Sequence, residues 1–347
     1  MMKKADLIVD MQYGSTGKGL IAGYLAVQNE YDVVVNANMP NAGHTFIDAK
    51  GQKMVHKVLP NGLVSPKCEY VLIGPSSVFS YDQLLKELDQ LDKFGYDRFT
   101  VLIHHRAVVL QEHHISQEMV FSRIGSTAQG SAAATIHKMV RDPQDNPTAG
   151  AVFGYDNVNL PPSVNVVNND QYDDVIKHAK SILIEGAQGF SLGINERFYP
   201  YSTSRECTPA RFMSDTGIPL PCLRTVIGTA RTYPIRVGHT ATGESGGCYP
   251  DQEETTWEEL GLSKEFTTVT GRERRVFTFS KRQIEDAMWA IQPDVVFLNF
   301  CNYVTDIYEL GKIMRAFNCK IKYVGWGATV DDVKEVNYAL GNPSWED

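Results

Sequence analysis

The chain has 347 residues, a formal net charge of −8 and 43% hydrophobic residues. This length and composition allow a substantial hydrophobic core, and we predict a single α/β domain over residues 1–347. The negative charge argues against a surface that coats nucleic acid, so any nucleotide ligand is expected to be a small molecule.

The sequence predicts neither a membrane partner nor a zinc site built from cysteines. No apolar run is long enough to span a membrane, and residues 1–5 lead into the first predicted strand without a signal-peptide core, which predicts a cytoplasmic location. The six cysteines lack the Cys-x-x-Cys spacing of zinc ribbons, so we expect reduced, mostly buried thiols.

A glycine-rich turn follows the first predicted strand. Residues 6–10 are a β-type apolar run, and residues 20–27 form an amphipathic helical stretch. Between them, glycines allow backbone N–H groups to face an anion, and Lys18 supplies a positive charge. The spacing from Gly14 to Lys18 is one residue shorter than in a standard P-loop, and Gly19 replaces its magnesium-binding Ser or Thr. A tight turn without a ligand remains the alternative.

A second polar loop follows the next predicted strand, residues 33–36. It presents an amide at Asn41, a flexible backbone at Gly43 and a titratable ring at His44. Together the two loops resemble the nucleotide site of the adenylosuccinate synthetases, which carry a Gln-aromatic-Gly-x-x-Gly-Lys-Gly turn and an Asn-Ala-Gly-His-Thr turn. The pairing of the two motifs is specific, although neither motif is specific alone.

The next segment is interpreted as scaffold. Apolar runs at 54–58 and 70–73 predict further strands of the sheet, leucines at three- and four-residue steps predict a helix over 81–94, and 100–103 predicts another strand. Paired histidines follow, but no carboxylate lies at a telling interval, so we expect structural histidines and not metal ligands. They are His104, His105, His113 and His114.

Residues 124–134 are rich in small hydroxylated side chains, which suit either a phosphate-binding loop or a flexible linker. The family has a Gly-Thr-Thr-Gly-x-Gly loop here that holds the nucleoside monophosphate. Ser126 and Thr127 fall on its threonines, whereas Ala128 and Gln129 depart from it. Arg141 loosely resembles an arginine that the family donates across a dimer interface, which implies a homodimer.

Residues 142–170 are rich in Pro, Asn and Asp and are predicted to be a loop, shortened relative to the family. The predicted strand 181–184 then leads to Gln188, which matches a glutamine on the substrate base or ribose. Thr203 matches a phosphate-binding threonine. Polar loops at strand ends are the alternative interpretation of both.

An arginine cluster lies near a Thr-x-Thr-Gly turn at residues 267–275, after a predicted strand pair at 225–238. Arginine side chains can form paired hydrogen bonds to carboxylates and phosphates, although a solvated basic loop would look similar. The family clamps aspartate with a Thr-Thr-Gly-Arg-x-Arg loop, and Thr270, Arg272 and Arg274 match it in order.

The last predicted elements are a helix over 282–291 and strands over 295–302 and 320–324. The carboxyl ends of such strands are where an open α/β sheet binds a nucleotide base. The matched segments extend from residue 6 to about residue 330. The resemblance therefore implies the family's α/β fold, with a central, mostly parallel twisted sheet, flanking helices and modified phosphate-binding loops.

The resemblance also implies a two-step ligation with Mg²⁺. A triphosphate phosphorylates O6 of a 6-oxopurine monophosphate, and the amino group of aspartate then displaces that phosphate. An oxo group leaves poorly until it is phosphorylated, so the site needs a triphosphate clamp, a cation and a donor at O6.

Two departures from the family bear on the substrates. Ser15 stands where the family has an aspartate that removes the N1 proton of inosinate, and an unaided hydroxyl cannot be that base. A smaller, uncharged side chain leaves room for the 2-amino group of guanine. The combination resembles a bacteriophage-encoded branch of the family that joins dGMP to aspartate in making diaminopurine for phage DNA. Ser15 acting through water or with His44, or simply bonding to guanine, remain open alternatives.

The second departure concerns the phosphoryl donor. The family recognises GTP with a Lys-x-Asp motif, whereas these positions are here Phe300, Cys301 and Asn302. An amide offers the donor and the acceptor that complement adenine, so we predict ATP or dATP. An ordinary synthetase acting on IMP with GTP, or a catalytically silent nucleotide-binding paralogue, are the alternatives.

The matching positions imply the following sites. The catalytic group is Ser15, His44 and Lys18. The triphosphate site combines the first two loops with later strand ends: Gly14, Ser15, Thr16, Gly17, Lys18, Gly19, Gly43, His44, Thr45, Arg274, Asn299, Asn302, Gly325 and Gly327. The dGMP site is Ser15, Asn41, Ala42, Ser126, Thr127, Arg141, Gln188, Thr203 and Arg272. The aspartate site is Thr268, Val269, Thr270, Gly271, Arg272 and Arg274. The metal site is Ser15 with the Gly43 carbonyl.

Overall fold

A computed structural model describes residues 2–121, 124–157, 159–241, 243–267 and 270–336. Its α-helices are α1 (Lys18–Asn29), α2 (Tyr81–Phe94), α3 (Glu112–Phe121), α4 (Ser131–Val140), α5 (Ala149–Phe153), α6 (Asn169–His178), α7 (Pro209–Thr216), α8 (Lys281–Ile291) and α9 (Ile307–Arg315). None of the helices in these ranges is long and apolar enough to cross a membrane.

The strands are β1 (Ala5–Asp10), β2 (Val33–Asn36), β3 (His44–Ile47), β4 (Lys53–His56), β5 (Tyr70–Ile73), β6 (Val78–Phe79), β7 (Thr100–His104), β8 (Val108–Val109), β9 (Val164–Val167), β10 (Ile182–Glu185), β11 (Leu223–Arg231), β12 (Ile235–Val237), β13 (Glu254–Thr255), β14 (Arg274–Phe277), β15 (Val295–Asn299), β16 (Ile321–Gly325) and β17 (Val333–Glu335).

One large sheet organises the structure, in the order β17-β16-β15-β11-β1-β10-β2-β5-β7-β9. Every neighbouring pair is parallel except β16 and β17, and apolar clusters cover both faces. Burial on both faces explains why the central strands are nearly continuous apolar runs. The predicted α/β fold with a mostly parallel sheet is confirmed.

The parallel arrangement places four polar residues on one edge of the sheet. Asn299, Arg231, Asp10 and Glu185 are the last residues of the adjacent strands β15, β11, β1 and β10. All four are almost completely buried. Because buried polar and charged groups need partners, this edge must be built from mutually bonded side chains.

Three predictions about secondary structure are corrected by the structure. The run at 54–58 does not join the central sheet, because β4 pairs with β3 in a separate antiparallel hairpin. This hairpin packs on α1 through Phe46, whose ring lies so close to Gly23 that a Cβ atom there would be 2.2 Å from it.

The segment 142–170 is also not simply a loop. It contains α5 and β9, and β9 pairs with β7 at the edge of the sheet. Asn168, which looked like a loop residue, forms a capping box with Gln171 at the start of α6. The predicted loop at 124–134 ends earlier than expected, because Ser131 begins α4.

Candidate active site

The carboxyl ends of the central strands border a cleft of about 520 Å³. Most of the predicted site residues line it: Gly14, Ser15, Gly17, Lys18, Gly19, Asn41, Ala42, Gly43, His44, Thr45, Ser126, Thr127, Gln188, Thr203, Arg274, Asn299, Asn302 and Gly327. The structure therefore brings the predicted triphosphate loops and the predicted monophosphate loop to one continuous cavity.

The first loop is organised around the carboxylate of Asp10. The backbone N–H groups of Gln12 and Gly14 donate to its Oδ1 atom at 2.9 and 3.2 Å. The Thr16 hydroxyl and the Lys18 ammonium donate to its Oδ2 atom at 2.5 and 2.9 Å. Four donors from one short segment satisfy the buried charge of Asp10, and these bonds fix the shape of the loop.

Lys18 is held between two strand ends. Besides Asp10, its ammonium bonds to the backbone oxygen of Gln188 at 2.8 Å. The adjacent Gly189 lies so close to the first loop that a Cβ atom there would be 2.4 Å from the Gln12 oxygen and the Gly14 nitrogen. An ammonium has three N–H donors, so one remains for a ligand in the cleft.

His44 is oriented by Glu185. The His44 Nδ1 atom lies 2.5 Å from Glu185 Oε1, and the Asn61 N–H donates to Oε2 at 2.7 Å. Burial raises the pKa of Glu185, but the bonds from His44 and Asn61 outweigh burial and hold the pKa below its usual value. The ionised carboxylate can only accept, so Nδ1 of His44 carries a proton and Nε2 is the atom available to the cleft.

Gln188 belongs to a network of side chains at the predicted dGMP site. Its Nε2 atom donates to Asn41 Oδ1 at 2.8 Å, and Arg205 Nε donates to its Oε1 atom at 3.1 Å. Asn41 in turn donates to the Thr203 hydroxyl at 3.4 Å. The bond from Arg205, itself anchored to Asp215 at 3.2 Å, fixes which side of the Gln188 amide faces Asn41.

The predicted aspartate loop packs against the predicted monophosphate loop. Arg272 donates to the backbone oxygens of Ser126 and Gly238 at 2.8 and 3.2 Å, and to the Thr270 hydroxyl at 3.2 Å. Arg272 therefore bridges the two loops instead of lining the cleft. Thr268 and Val269 lie outside the described residues.

Some predicted residues do not line the cleft: Thr16, Arg141, Thr270, Gly271, Arg272 and Gly325. Thr16 lies beneath the first loop on Asp10, and Gly325 supports Asn299, whose Oδ1 would be 2.1 Å from a Cβ atom at position 325. Arg141 is exposed at the end of α4, where it caps the helix with a positive φ of 61°.

The sequence interpretation missed several residues that hold the site together: Asp10, Glu185, Arg205, Arg231, Glu244 and Glu265. Asp10 and Glu185 were visible as polar residues at strand ends, but their partners were not. Glu244 lines the cleft, and its backbone oxygen accepts from the Gly125 N–H at 2.6 Å, next to the predicted monophosphate loop.

A group of histidines outside the cleft could hold a metal ion, since ring nitrogens of His113, His114 and His137 lie within 4.8 Å of one another. Burial lowers the pKa of His114 to about 4, so its ring is neutral. The Gln111 N–H donates to His114 Nδ1 at 3.1 Å, which places the proton on Nε2, 2.8 Å from His137 Nδ1. A metal ion would have to break this chain, which supports a structural role.

Comparison with known proteins identifies the class. A sequence model of the adenylosuccinate synthetase family matches residues 7–144 and 160–339, and the chain belongs to this family. The N6-succino-2-amino-2'-deoxyadenylate synthase of Vibrio phage phiVC8 is 52% identical over 344 residues, covering 96% of this chain and 98% of that protein.

Solved structures agree with this assignment. The succinoaminodeoxyadenylate synthetase (PurZ) of cyanophage S-2L, bound to dGMP and to dATP as an energy donor, matches with a TM-score of 0.89 and 39% identity over 96% of each chain. The fully ligated adenylosuccinate synthetase of Plasmodium falciparum matches with a TM-score of 0.74 at 17% identity, covering 95% of this chain and 99% of that chain, which supports the fold alone.

We predict that Asp10→Asn disrupts the first loop. The NH2 group of the new amide would then face the Thr16 hydroxyl or the Lys18 ammonium, which are themselves donors. We therefore expect a loss of about 3 kcal/mol in the free energy of unfolding. We also expect ATP affinity to fall by at least about tenfold, because Lys18 and the backbone N–H groups lose their fixed positions. Urea denaturation and calorimetric titration with ATP measure the two effects.

The matched control is Asp6→Asn at the opposite end of the same strand. Asp6 bonds to the half-exposed Arg224 at 2.6 Å and to the buried Tyr31 at 2.6 Å, away from the cleft. This variant should lose stability but keep the ATP affinity of the wild type. An Asp10→Asn protein that binds ATP like the wild type would contradict the organising role of Asp10.

Proposed function

We propose that the protein is a C–N ligase that joins L-aspartate to C6 of dGMP with hydrolysis of ATP or dATP. The product is the succinylated precursor of the 2-aminoadenine (diaminopurine) nucleotide of phage DNA. The observation that carries this proposal is one cleft that is lined by Lys18 and His44, by the loop of Ser126 and Thr127, and by Asn302. The family and the similarity to phage synthases support the same reaction.

The proposed reaction has two steps. O6 of dGMP attacks the γ-phosphorus of the triphosphate, the bond to the β,γ-bridging oxygen breaks, and the N1 proton passes to water, directly or by way of the Ser15 hydroxyl. The amino nitrogen of aspartate then attacks C6 and gives up a proton to water, the C6–O6 bond breaks, and O6 leaves within inorganic phosphate. Without the first step the second would have to expel an oxide, so the cleft must hold the triphosphate and the base together.

Residues of the first two loops would carry the chemistry. Gly17 is the N-cap of α1, whose N-terminus is favourable for phosphate, and Lys18 would contact the phosphoryl oxygens. His44, oriented through Nδ1 by Glu185, would act on O6 through Nε2, which donates when the ring carries a proton on both nitrogens, as negative charge develops there during displacement. The cleft thereby provides charge stabilisation at both ends of the transferred phosphoryl group.

The residues proposed for Mg²⁺ suit that ion. Among the described residues, the Ser15 hydroxyl and the Gly43 carbonyl have no hydrogen-bond partner, and both residues line the cleft. Mg²⁺ takes oxygen ligands, carbonyl oxygens among them, and usually keeps several waters while it binds substrate phosphates. When bound, it would neutralise the charge that develops on the phosphates.

Ser15 is proposed to accommodate guanine. Its hydroxyl is small and uncharged and makes no bond to any residue within the described ranges, so it can accept from the N1 or N2 position of the base. Its backbone has a positive φ of 55°, and its carbonyl accepts from Arg231 at 3.3 Å, which fixes the turn. An aspartate at this position would occupy more space beside C2.

Asn302 is proposed to recognise the adenine of the phosphoryl donor by hydrogen bonds. It lines the cleft beside Phe300 and Tyr303, at the carboxyl end of β15. An amide can donate to adenine N1 and accept from its N6 amino group. Guanine presents a donor at N1 and an acceptor at O6, so the amide would have to turn over to pair with it, and its single oxygen would replace the two carboxylate oxygens that accept from guanine N1 and N2.

A homodimer is proposed to complete the monophosphate site. Helices α3 and α4 lie side by side and expose large apolar side chains, which is typical of an interaction surface. These are Met119, Val120, Ile136, Met139 and Val140. Arg141 follows directly and does not reach the cleft of its own chain, so a second copy packed on this surface could supply it.

We predict that dGMP, aspartate and ATP with Mg²⁺ yield N6-succino-2-amino-2'-deoxyadenylate, ADP and phosphate. Mass spectrometry of the products tests substrate and reaction class together. Replacing dGMP by IMP should slow turnover sharply. Preferential use of IMP would favour an ordinary synthetase, and the absence of any aspartate-dependent phosphate release would favour a silent paralogue.

A variant of Asn302 tests the choice between ATP and GTP as phosphoryl donor. Asn302→Asp replaces the amide by a carboxylate, which accepts from N1 and N2 of guanine and cannot donate to adenine. We expect the ratio of kcat/KM for ATP over GTP to fall by at least about tenfold. Asn318→Asp, remote from the lining residues, is the control. Equal or faster turnover of the wild type with GTP would refute the assignment of the donor.

We predict that the wild type sediments as a dimer at micromolar concentration and that Met139→Glu sediments as a monomer, because a charge in an apolar interface is costly. The monomer should bind dGMP more weakly, since it lacks the partner's arginine. Trp289→Glu, which alters an exposed aromatic residue on α8, should remain dimeric. A monomeric wild type, or a dimeric Met139→Glu protein, would contradict the proposed interface.

A further inference from the structure

Arg231 and Glu265 form an ion pair behind the wall of the cleft. The guanidinium bonds to the carboxylate through both oxygens, at 2.5 and 3.1 Å, and the Arg231 side chain has no exposed surface. Neither residue lines the cleft. Burial raises the pKa of Glu265, but Arg231 and Arg274 outweigh burial and lower the pKa, so the carboxylate is ionised.

On one side the pair contacts segments proposed to bind the triphosphate. The Arg231 guanidinium lies 3.9 Å from the centre of the Phe300 ring, a stacking distance, and donates to the Ser15 carbonyl at 3.3 Å. Phe300 and Ser15 both line the cleft. A base placed against Phe300 would therefore fix a ring that also contacts Arg231 and Tyr303.

On the other side the pair contacts a residue proposed to bind aspartate. Arg274 Nη1 donates to Glu265 Oε2 at 3.2 Å, and the Tyr303 hydroxyl donates to Oε1 at 3.1 Å. Arg274 lines the cleft, and its Nε atom is buried without a partner among the described residues. The position of the Arg274 guanidinium therefore depends on Glu265.

We propose that the Arg231–Glu265 pair is a positioning device that couples the triphosphate subsite to the aspartate subsite. This inference rests on the proposed function. Separating the two charges would leave the buried Arg231 guanidinium without a carboxylate partner, so the pair shifts as a unit. A base that settles on Phe300 and the adjacent Tyr303 thus fixes Arg231 and Glu265, and through them the Arg274 guanidinium that receives aspartate. By linkage, bound aspartate must favour the triphosphate by the same factor.

The coupling has a chemical use. Aspartate reacts only after O6 has been phosphorylated, so binding it tightly before the triphosphate arrives has no value. An aspartate clamp that forms when the donor base is in place would match the order of the two steps. Arg231 and Glu265 touch no substrate in this account, and they act through Phe300 and Arg274.

The test is calorimetric titration of aspartate with dGMP present, with and without a non-hydrolysable ATP analogue. For the wild type we expect the analogue to tighten aspartate binding by about fivefold or more, the lower end of usual couplings. In Glu265→Gln and in the milder Arg231→Lys, the ratio of the two affinities should fall to less than about twofold. A merely structural role would weaken binding in both states and leave the ratio unchanged.

The matched control is Arg224→Lys, which alters the other two-bond arginine–carboxylate pair of strand β11. Arg224 donates to Asp6 at 2.9 and 2.6 Å at the opposite end of the strand. The Arg224→Lys variant should retain the wild-type ratio of aspartate affinities with and without the ATP analogue. A wild-type ratio near one, or an unchanged ratio in both variants, would overturn the coupling. A wild type that makes no succinylated product would instead refute the proposed function.

Discussion

The structure depends on the need to satisfy a row of buried polar side chains at the carboxyl edge of a parallel sheet. Asp10 is the centre of that row, because four donors from the segment that follows it converge on one carboxylate. The cost of leaving such a charge unpaired is several kilocalories per mole, so the first loop has little freedom to adopt another shape. The position of Lys18 follows directly from this constraint.

Neighbouring strand ends extend the same principle across the cleft. Glu185 sets the orientation of His44 on one side of Asp10, and Arg231 connects the first loop to Glu265 on the other. Each of these bonds joins the last residue of a central strand to another segment of the cleft, so the cleft walls depend on one another. A site for three substrates benefits from this rigidity, because the reacting atoms must be held together while water is kept away.

The sequence was informative where local pattern determines structure. The helix predicted over 81–94 coincides with α2, and the motifs at Lys18 and His44 predicted two neighbouring loops that do line one cleft. It failed where a local pattern was ambiguous. Asn168 has a loop-like composition but caps a helix, and β9 is short enough to be hidden among polar residues. The supporting residues were missed for a different reason: Lys18 and its acceptor Gln188 are 170 residues apart, and no periodicity signals such a contact.

In the proposed reaction, the two loops hold a γ-phosphoryl group against O6 of a purine so that this oxygen can leave. The most direct measurement uses dGMP labelled with ¹⁸O at O6, together with aspartate, ATP and Mg²⁺, followed by mass spectrometry of the released phosphate. We expect the label to appear in inorganic phosphate in an amount equal to that of the succinylated product. Product formation with unlabelled phosphate would contradict it, because the oxygen would then have left without being phosphorylated.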